Sequence, residues 1–478
     1  MSESRRIIPI MPGPLLPGVE AANKVQARAT NGRFTRMRWA TLWATQLFFF
    51  GIPWLQWHGR QLARFDLEAK RFYLGNLILL PQDLIFLTGL LVFCAMLLFV
   101  VTTLAGRVWC GFSCPQTVYT ELFMWVERRF EGDRHLRLKL DRSPWTAQKL
   151  LRRGGKQATW VAISLWTGFT FVGWFSPIRE MAQQALHLDM GFWDTFWAGF
   201  YGLLCYTNAG FLREKVCLHM CPYGRFQGAL MDADTLIVAY DAQRGEPRGT
   251  QREARNKASA QQAGACVDCT VCVQVCPTGI DIRQGAQAAC ISCALCIDAC
   301  DHIMDRIGQP RGLIRFATPR ELDAQQGAGA NTATPVFARH RVRIYAGLMA
   351  LAVAALVWSV MQRPDVRVDV IRDRGVMARM VDDGVIENVY RLQLMNQTEV
   401  LQRIDLGVDE LPGAQVVVRE PMLLGPIEDR QVMVAVRLPA AEAARLRGKI
   451  LGLHFRIASR SDNQTSLIRE PSTFIVPR

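Results

Sequence analysis

Beyond Met361 the chain contains no cysteine: all 14 lie between Cys94 and Cys300. That absence excludes a disulfide framework from the C-terminal region. No G-x-G-x-x-G fingerprint is present, so nothing in the sequence points to a bound dinucleotide. No A-x-A-like cleavage site follows the first apolar run, and a long Arg-bearing tail precedes it, which argues against a cleaved signal peptide. Acidic residues are scarce in that tail, where Glu3 and Glu20 stand against Arg5, Arg6, Lys24, Arg28, Arg33, Arg36 and Arg38.

Apolar residues are abundant: 50% of the 478 residues are hydrophobic, and 13 are Trp. Windows of roughly 20 apolar residues, the length that crosses a bilayer core, occur at Trp39–Trp57, Asp83–Leu104, Thr159–Ile178, Phe192–Phe211 and Val342–Met361. Trp at their ends suits the membrane interface. Cytoplasmic loops retain Lys and Arg, so the basic tail and the loop Arg128–Lys156 belong inside, and the turn bearing only Arg179 belongs outside. Residues 212–341 are then cytoplasmic and the C-terminus periplasmic. The formal charge of +14 is thus a topology signal and does not call for a nucleic-acid partner.

The expected organisation is a cytoplasmic tail (1–38), a four-helix transmembrane core (39–240), a polar linker (241–264), a Cys-rich unit (265–312), a second linker (313–341), a fifth span (342–361) and a C-terminal domain (362–478). Within the core, Tyr119–Phe130 has the pattern of an amphipathic helix on the inner membrane surface. In the C-terminal domain the period becomes two. Leu451, Leu453, Phe455 and Ile457 alternate with Gly452, His454, Arg456 and Ala458, and Val432, Val434 and Val436 alternate with Met433, Ala435 and Arg437. With turn signals at Asp382-Asp-Gly384, Asn396 and Pro412-Gly413, this predicts an immunoglobulin-like β-sandwich without its disulfide.

Two stretches carry cluster chemistry. Cys266-Val-Asp-Cys-Thr-Val-Cys-Val-Gln-Val-Cys-Pro277 has the C-x2-C-x2-C-x3-C-P spacing of a bacterial two-cluster ferredoxin, and Cys290–Asp301 repeats it. Three closely spaced ligands wrap one iron–sulfur cube and the fourth comes from the other motif. Cys266, Cys269, Cys272 and Cys300 would hold one 4Fe–4S cluster, and Cys290, Cys293, Cys296 and Cys276 the other. A zinc ribbon would separate its pairs by a longer loop.

A weaker repeat sets "RVWCGFSCPQ" beside "EKVCLHMCPY", each after an apolar run. If a helix continued through each, Cys110 with Cys114 and Cys217 with Cys221 would share a face. Four soft thiolates there, with Met220 and less strongly His219 as further donors, favour Cu(I), zinc or an iron–sulfur centre over hard cations. Inert buried thiols are the alternative, and that is the reading for Cys94 and Cys205.

These motifs, together with "RQLARFDLEAKRFYLGNLILLPQD", "TGFTFVGWFSPIRE", "TLIVAYDAQRGEPRG" and "CIDACDHIMDRIGQPRGLIR", resemble the CcoG/FixG/RdxA family of cytochrome c oxidase accessory proteins over nearly the whole chain. The resemblance implies a five-helix transmembrane bundle with a cytoplasmic two-cluster ferredoxin domain and a periplasmic immunoglobulin-like β-sandwich, in the bacterial inner membrane. It implies assembly of cbb-type oxidases by reduction of Cu(II) to Cu(I) at Cys110, Cys114, Cys217, Cys221 and Met220. Its expected partners are oxidase assembly factors, including a copper-exporting ATPase, and an electron donor that the sequence does not identify. His219 falls outside the family pattern. Two other readings stand beside this one: an electron relay of the quinol-dehydrogenase type without copper, and a non-catalytic assembly scaffold.

Overall fold

In the computed structural model, the described residues are 25–75, 77–249, 264–326, 335–372, 378–381, 384–398, 400–418, 422–460 and 465–477. Most of the expected tail, the greater part of the 241–264 linker, the middle of the 313–341 linker and the Asp382-Asp383 turn lie outside them. The chain forms two compact units, one of residues 1–75 and 84–356, the other of 76–83 and 357–478.

The first unit is helical. Its helices are α1 (Arg33–Gly51), α2 (Leu84–Ala105), α3 (Val108–Phe112), α4 (Pro115–Glu131), α5 (Arg134–Arg142), α6 (Ala147–Val172), α7 (Ile178–Leu186), α8 (Phe192–Thr207) and α9 (Pro222–Leu230). A helix therefore occupies each of the first four apolar windows. Among the described residues, only α2 and a later helix, His340–Met361, are long and apolar enough to cross a membrane. The 16 residues of α8 continue directly into a π-helical turn, Asn208–Leu212, so that helical backbone covers the whole Phe192–Phe211 window.

α6 and α8 cross closely because both carry glycine at the contact. A Cβ on Gly168 would lie 2.0 Å from the Ala198 carbonyl oxygen, and one on Gly202 would lie 3.1 Å from that of Ser164. A short hairpin that the apolar pattern did not signal, β1 (Ala63–Asp66) with β2 (Arg71–Leu74), follows α1.

The Cys-rich segment is tied in by a two-stranded ladder, β3 (Ile237–Tyr240) with β4 (Ile314–Ala317). Residues 241–249, expected to begin a free linker, fold onto this unit instead. The Asp241 amide donates to Leu313 O at 2.9 Å, the Gly249 amide donates to Cys266 O at 3.0 Å, and Arg244 caps Arg311 O at 2.9 Å. The polar composition of this stretch is used for hydrogen bonds across the ladder. Helices α10 (Val271–Gln274) and α11 (Leu295–Ile307) follow the two Cys loops, and α12 (His340–Met361) comes after the second linker.

The second unit is the β-sandwich. Its strands are β5 (Val366–Arg372), β6 (Arg379–Met380), β7 (Ile386–Asn396), β8 (Gln402–Asp409), β9 (Gln415–Val418), β10 (Leu423–Leu424), β11 (Asp429–Leu438), β12 (Ile450–Arg460) and β13 (Thr465–Ile475). One antiparallel sheet has the order β9-β11-β7-β5 with β6 beside β7, the other β10-β8-β12-β13. The period-two expectation holds in the register. Tyr390 faces Val434 and Leu392 faces Val432, with these side chains buried between the sheets alongside Leu453, Phe455 and Ile457. Full burial of each such side chain contributes about 1.5–3 kcal/mol.

Candidate functional site

The two Cys loops fold alike because their sequences repeat. Asp268 and Thr270 in the first loop, and Ser292 and Ala294 at the equivalent places in the second, all take left-handed φ between 47° and 59°. That conformation is uncommon for non-glycine residues, and here it bends each loop tightly around a centre. Cys266, Cys269, Cys272 and Cys300 line one small void. Cys276, Cys290, Cys293 and Cys296 line another. Cys272 borders both.

Four thiols around each void match the four-cysteine ligation of a 4Fe–4S cube. Burial, reinforced by neighbouring thiols, pushes Cys272, Cys290 and Cys300 up to about 12 and Cys296 well above the ordinary thiol value. Such thiols become good ligands only when cationic iron displaces their protons. A bound 4Fe–4S cluster in each void would supply one-electron storage.

The CxxxCP segments form a second constellation beside the first. In each, the last Cys is the extended residue that starts a helix with Pro at its first position: Cys114 before α4 and Cys221 before α9. The continuous helix expected through each pair is absent. The residue before proline avoids the helical region, so the chain breaks at Cys114 and Cys221. Cys217 and Met220 sit on a π-helical turn, Val216–Met220. The four sulfurs are nevertheless brought within electrostatic reach of one another. Burial raises Cys110, Cys114 and Cys217, the last to about 12, and charge on the other thiols of the set raises each further. Met220 is 61% exposed.

Cys110 also packs against the cluster wall, touching the apolar group of Val275, Ile291, Cys293, Leu295 and Ala299. Next to it, Gly111 lies so close to the second loop that a Cβ would meet Ile291 O at 2.7 Å and Cys293 Cα at 2.8 Å. Buried Arg38 donates to Gly111 O at 3.0 Å, and its charge lowers the Cys293 thiol against the larger effect of burial. Arg107 reaches from α3's N-terminus to the carbonyls of Ala288 and Gly224. Its charge favours the thiolates of both Cys110 and Cys290. Buried Gln227 donates from Nε2 to Cys110 Sγ at 3.3 Å.

Sequence reasoning missed Arg38, Arg107, Gly111 and Gln227. A partial signal for Arg107 lay in the repeat, where it aligns with Glu214. The two positions carry opposite charge, and Glu214 raises Cys217 where Arg107 lowers Cys110.

Comparison with known proteins agrees with this geometry. Residues 212–319 match the family model "4Fe-4S dicluster domain", residues 87–132 match "4Fe-4S binding domain", and residues 356–477 match the "IG-like fold at C-terminal of FixG". Over 432 residues the chain is 36% identical to "Nitrogen fixation protein FixG" of Rhizobium meliloti, covering 84% of this chain and 82% of that protein. It is 40% identical over 394 residues to "Protein RdxA" of Cereibacter sphaeroides (81% and 82%), and 35% identical over 432 residues to "Protein RdxB" of the same organism (87% and 90%). With its ferredoxin-type cluster domains and its immunoglobulin-like C-terminal domain, the chain belongs to the CcoG/FixG/RdxA family of iron–sulfur proteins.

Proposed function

We propose that this protein is a multi-pass inner-membrane oxidoreductase that reduces Cu(II) to Cu(I) for assembly of a cbb-type oxidase. Cys266, Cys269, Cys272 and Cys300 hold one cluster, and Cys276, Cys290, Cys293 and Cys296 the other. Cys110, Cys114, Cys217 and Cys221 take up copper, with one electron consumed per ion. The observation that carries this reading is the packing of Cys110 against the wall of the Cys276–Cys296 void, within electrostatic reach of Cys114, Cys217 and Cys221. Thiolates prefer the soft product ion to the harder substrate ion. In the membrane, α1, α6 and α8 join α2 and α12, a placement supported by their exposed apolar side chains, among them Leu47, Phe48, Leu165, Trp166, Phe192 and Leu203.

The test is direct. Anaerobically purified protein with reduced clusters should convert Cu(II) to chelatable Cu(I), and a quadruple Cys-to-Ala variant at positions 110, 114, 217 and 221 should lose that activity while keeping its cluster iron. Full activity in this variant would remove copper from the site. A second reading has one observation in its favour, the match of residues 87–132, which contain Cys110 and Cys114, to a 4Fe–4S binding model. On that reading the four thiols hold a further iron–sulfur centre, and the quadruple variant would lose iron instead.

A further inference from the structure

A cavity of ≈ 960 Å³ in the helical unit opens between the start of α1, one face of α4 and the cluster loops. We propose that it binds a hydroquinone, a lipid-soluble donor of two electrons and two protons, and that Glu121 recognises its hydroxyl. The inference rests on the electron-transfer part of the function proposed above and does not depend on copper.

The first argument is place. Val275 and Leu295 form part of the cavity wall. Each is the chain neighbour of a cysteine, Cys276 and Cys296, lining the second void. A ligand here is separated from that void by about one layer of side chains.

The second is the character of the lining. Trp39 and Trp125 stand edge to face with ring centroids 6.5 Å apart, and Trp43 continues the wall along α1. Trp43 is 55% and Trp125 46% exposed, and exposed Leu47 and Phe48 extend the apolar strip beyond the mouth. Flat aromatic walls suit a ring, and an apolar exit suits a hydrocarbon tail.

The third is an unfilled polar atom. Glu121 is 7% exposed and lines the cavity. Its Oε1 accepts from Arg128 at 3.0 Å. Its Oε2 lies 3.4 Å from Arg38 yet accepts no hydrogen bond among the described residues. A buried carboxylate oxygen held only by a long ion pair gains from a ligand that brings a donor. A phenolic hydroxyl does; a lipid phosphate does not, although Arg28, Arg36 and Arg128 in the lining would attract it.

The redox balance closes within the protein. The hydroquinone becomes a quinone, releasing two electrons and two hydroxyl protons. Clusters held by the two cysteine sets would take one electron each, and the protons would leave to solvent.

Full-length protein with its clusters, in nanodiscs of neutral phospholipid, is titrated with decylubiquinol and followed by tryptophan fluorescence, and an azidoquinone is photo-cross-linked and mapped. We expect quenching, and cross-links within Trp39–Trp43 and Glu121–Arg128. Glu121→Gln should weaken hydroquinone binding about tenfold or more, the loss expected for a hydrogen bond to a charged group. Because that substitution also disturbs buried Arg38 and half-buried Arg128, Ala29→Phe serves as a second variant; it fills the mouth from an exposed position and should abolish quenching at unchanged iron content. Cross-links confined to other helices, or quenching unchanged in both variants, would overturn the proposal. So would competition by an anionic phospholipid that is indifferent to Glu121→Gln, which would make the cavity a lipid site. Failure of dithionite-reduced protein to reduce copper would count against the proposed function and leave this binding result standing.

Discussion

Two residues that carry no chemistry decide how closely the two cysteine constellations approach. Gly111 is hydrogen because the backbone of the second cluster loop occupies the place of any side chain. Backbone on the receiving side does not yield as a flexible side chain would. Gly111→Ala should therefore push α3 off the loop, cost about 1–3 kcal/mol of the kind measured for overpacking, and lower the iron bound per chain. Iron content and thermal stability equal to those of the parent protein would show that α3 and the loop have room for a methyl group. Arg107 acts by charge. It favours the anionic form at both Cys110 and Cys290, and removal of a nearby cation makes an added electron less welcome. Arg107→Gln should shift the potential of the nearer cluster in the negative direction, by tens of millivolts, in an EPR-monitored redox titration. An unchanged potential together with an intact EPR line shape would leave Arg107 only its carbonyl contacts.

At the scale of elements, legibility followed from how local the determining physics is. The strands of the sandwich could be read because alternation is imposed residue by residue, and Val432, Val434 and Val436 point inward as the period requires. The cluster cysteines could be read because a cube needs ligands at fixed short spacing. The amphipathic pattern of Tyr119–Phe130 marked α4 but not what it buries. Glu127 accepts from Arg137 at 3.0 Å and pairs with Arg213 at 2.8 Å, while Glu131 pairs with Lys156 at 2.7 Å; these partners come from three other segments. No helical periodicity reports a charge network assembled from distant segments.

The sandwich has a comparable pair of contacts. Nearly fully buried Glu387 on β7 accepts from Arg379 and from Arg437, the latter at 2.7 Å. Burial would raise its carboxyl, but the two guanidiniums outweigh burial and hold it below the ordinary range. A depressed carboxylate stabilises above the unfolded value and loses that contribution as pH falls through the folded one. Amide protection factors in β7 and β11, corrected for intrinsic exchange, should fall on acidification below about pH 4. Glu387→Gln should flatten this dependence and cost about 1–3 kcal/mol near neutral pH, as for a buried partner left unsatisfied. A variant with the parent's acid profile would assign the transition to other carboxylates.

At the scale of the whole molecule, we propose an orientation from two independent patterns, charge and sulfur. Lys and Arg crowd the tail before Trp39 and the segment Arg128–Lys156, whereas the turn around Arg179 is nearly without them. Twelve of the 14 cysteines fall on segments that this rule keeps inside, as thiols destined for metal require, and the region after Met361, which it places outside, has none to oxidise. α2 and α12 each have 22 residues, about 33 Å at the helical rise, enough for the hydrocarbon core. Reporter fusions test the arrangement. A fluorescent protein fused after Gln326 should light up and an alkaline phosphatase at the same place stay inactive, with the reverse at Arg478. Active phosphatase at Gln326 would put the cluster voids in an oxidising compartment, where Cys110 and Cys114 would be driven toward disulfides. Neither the copper chemistry proposed for the four thiols nor a reducing path from the hydroquinone cavity would survive that result.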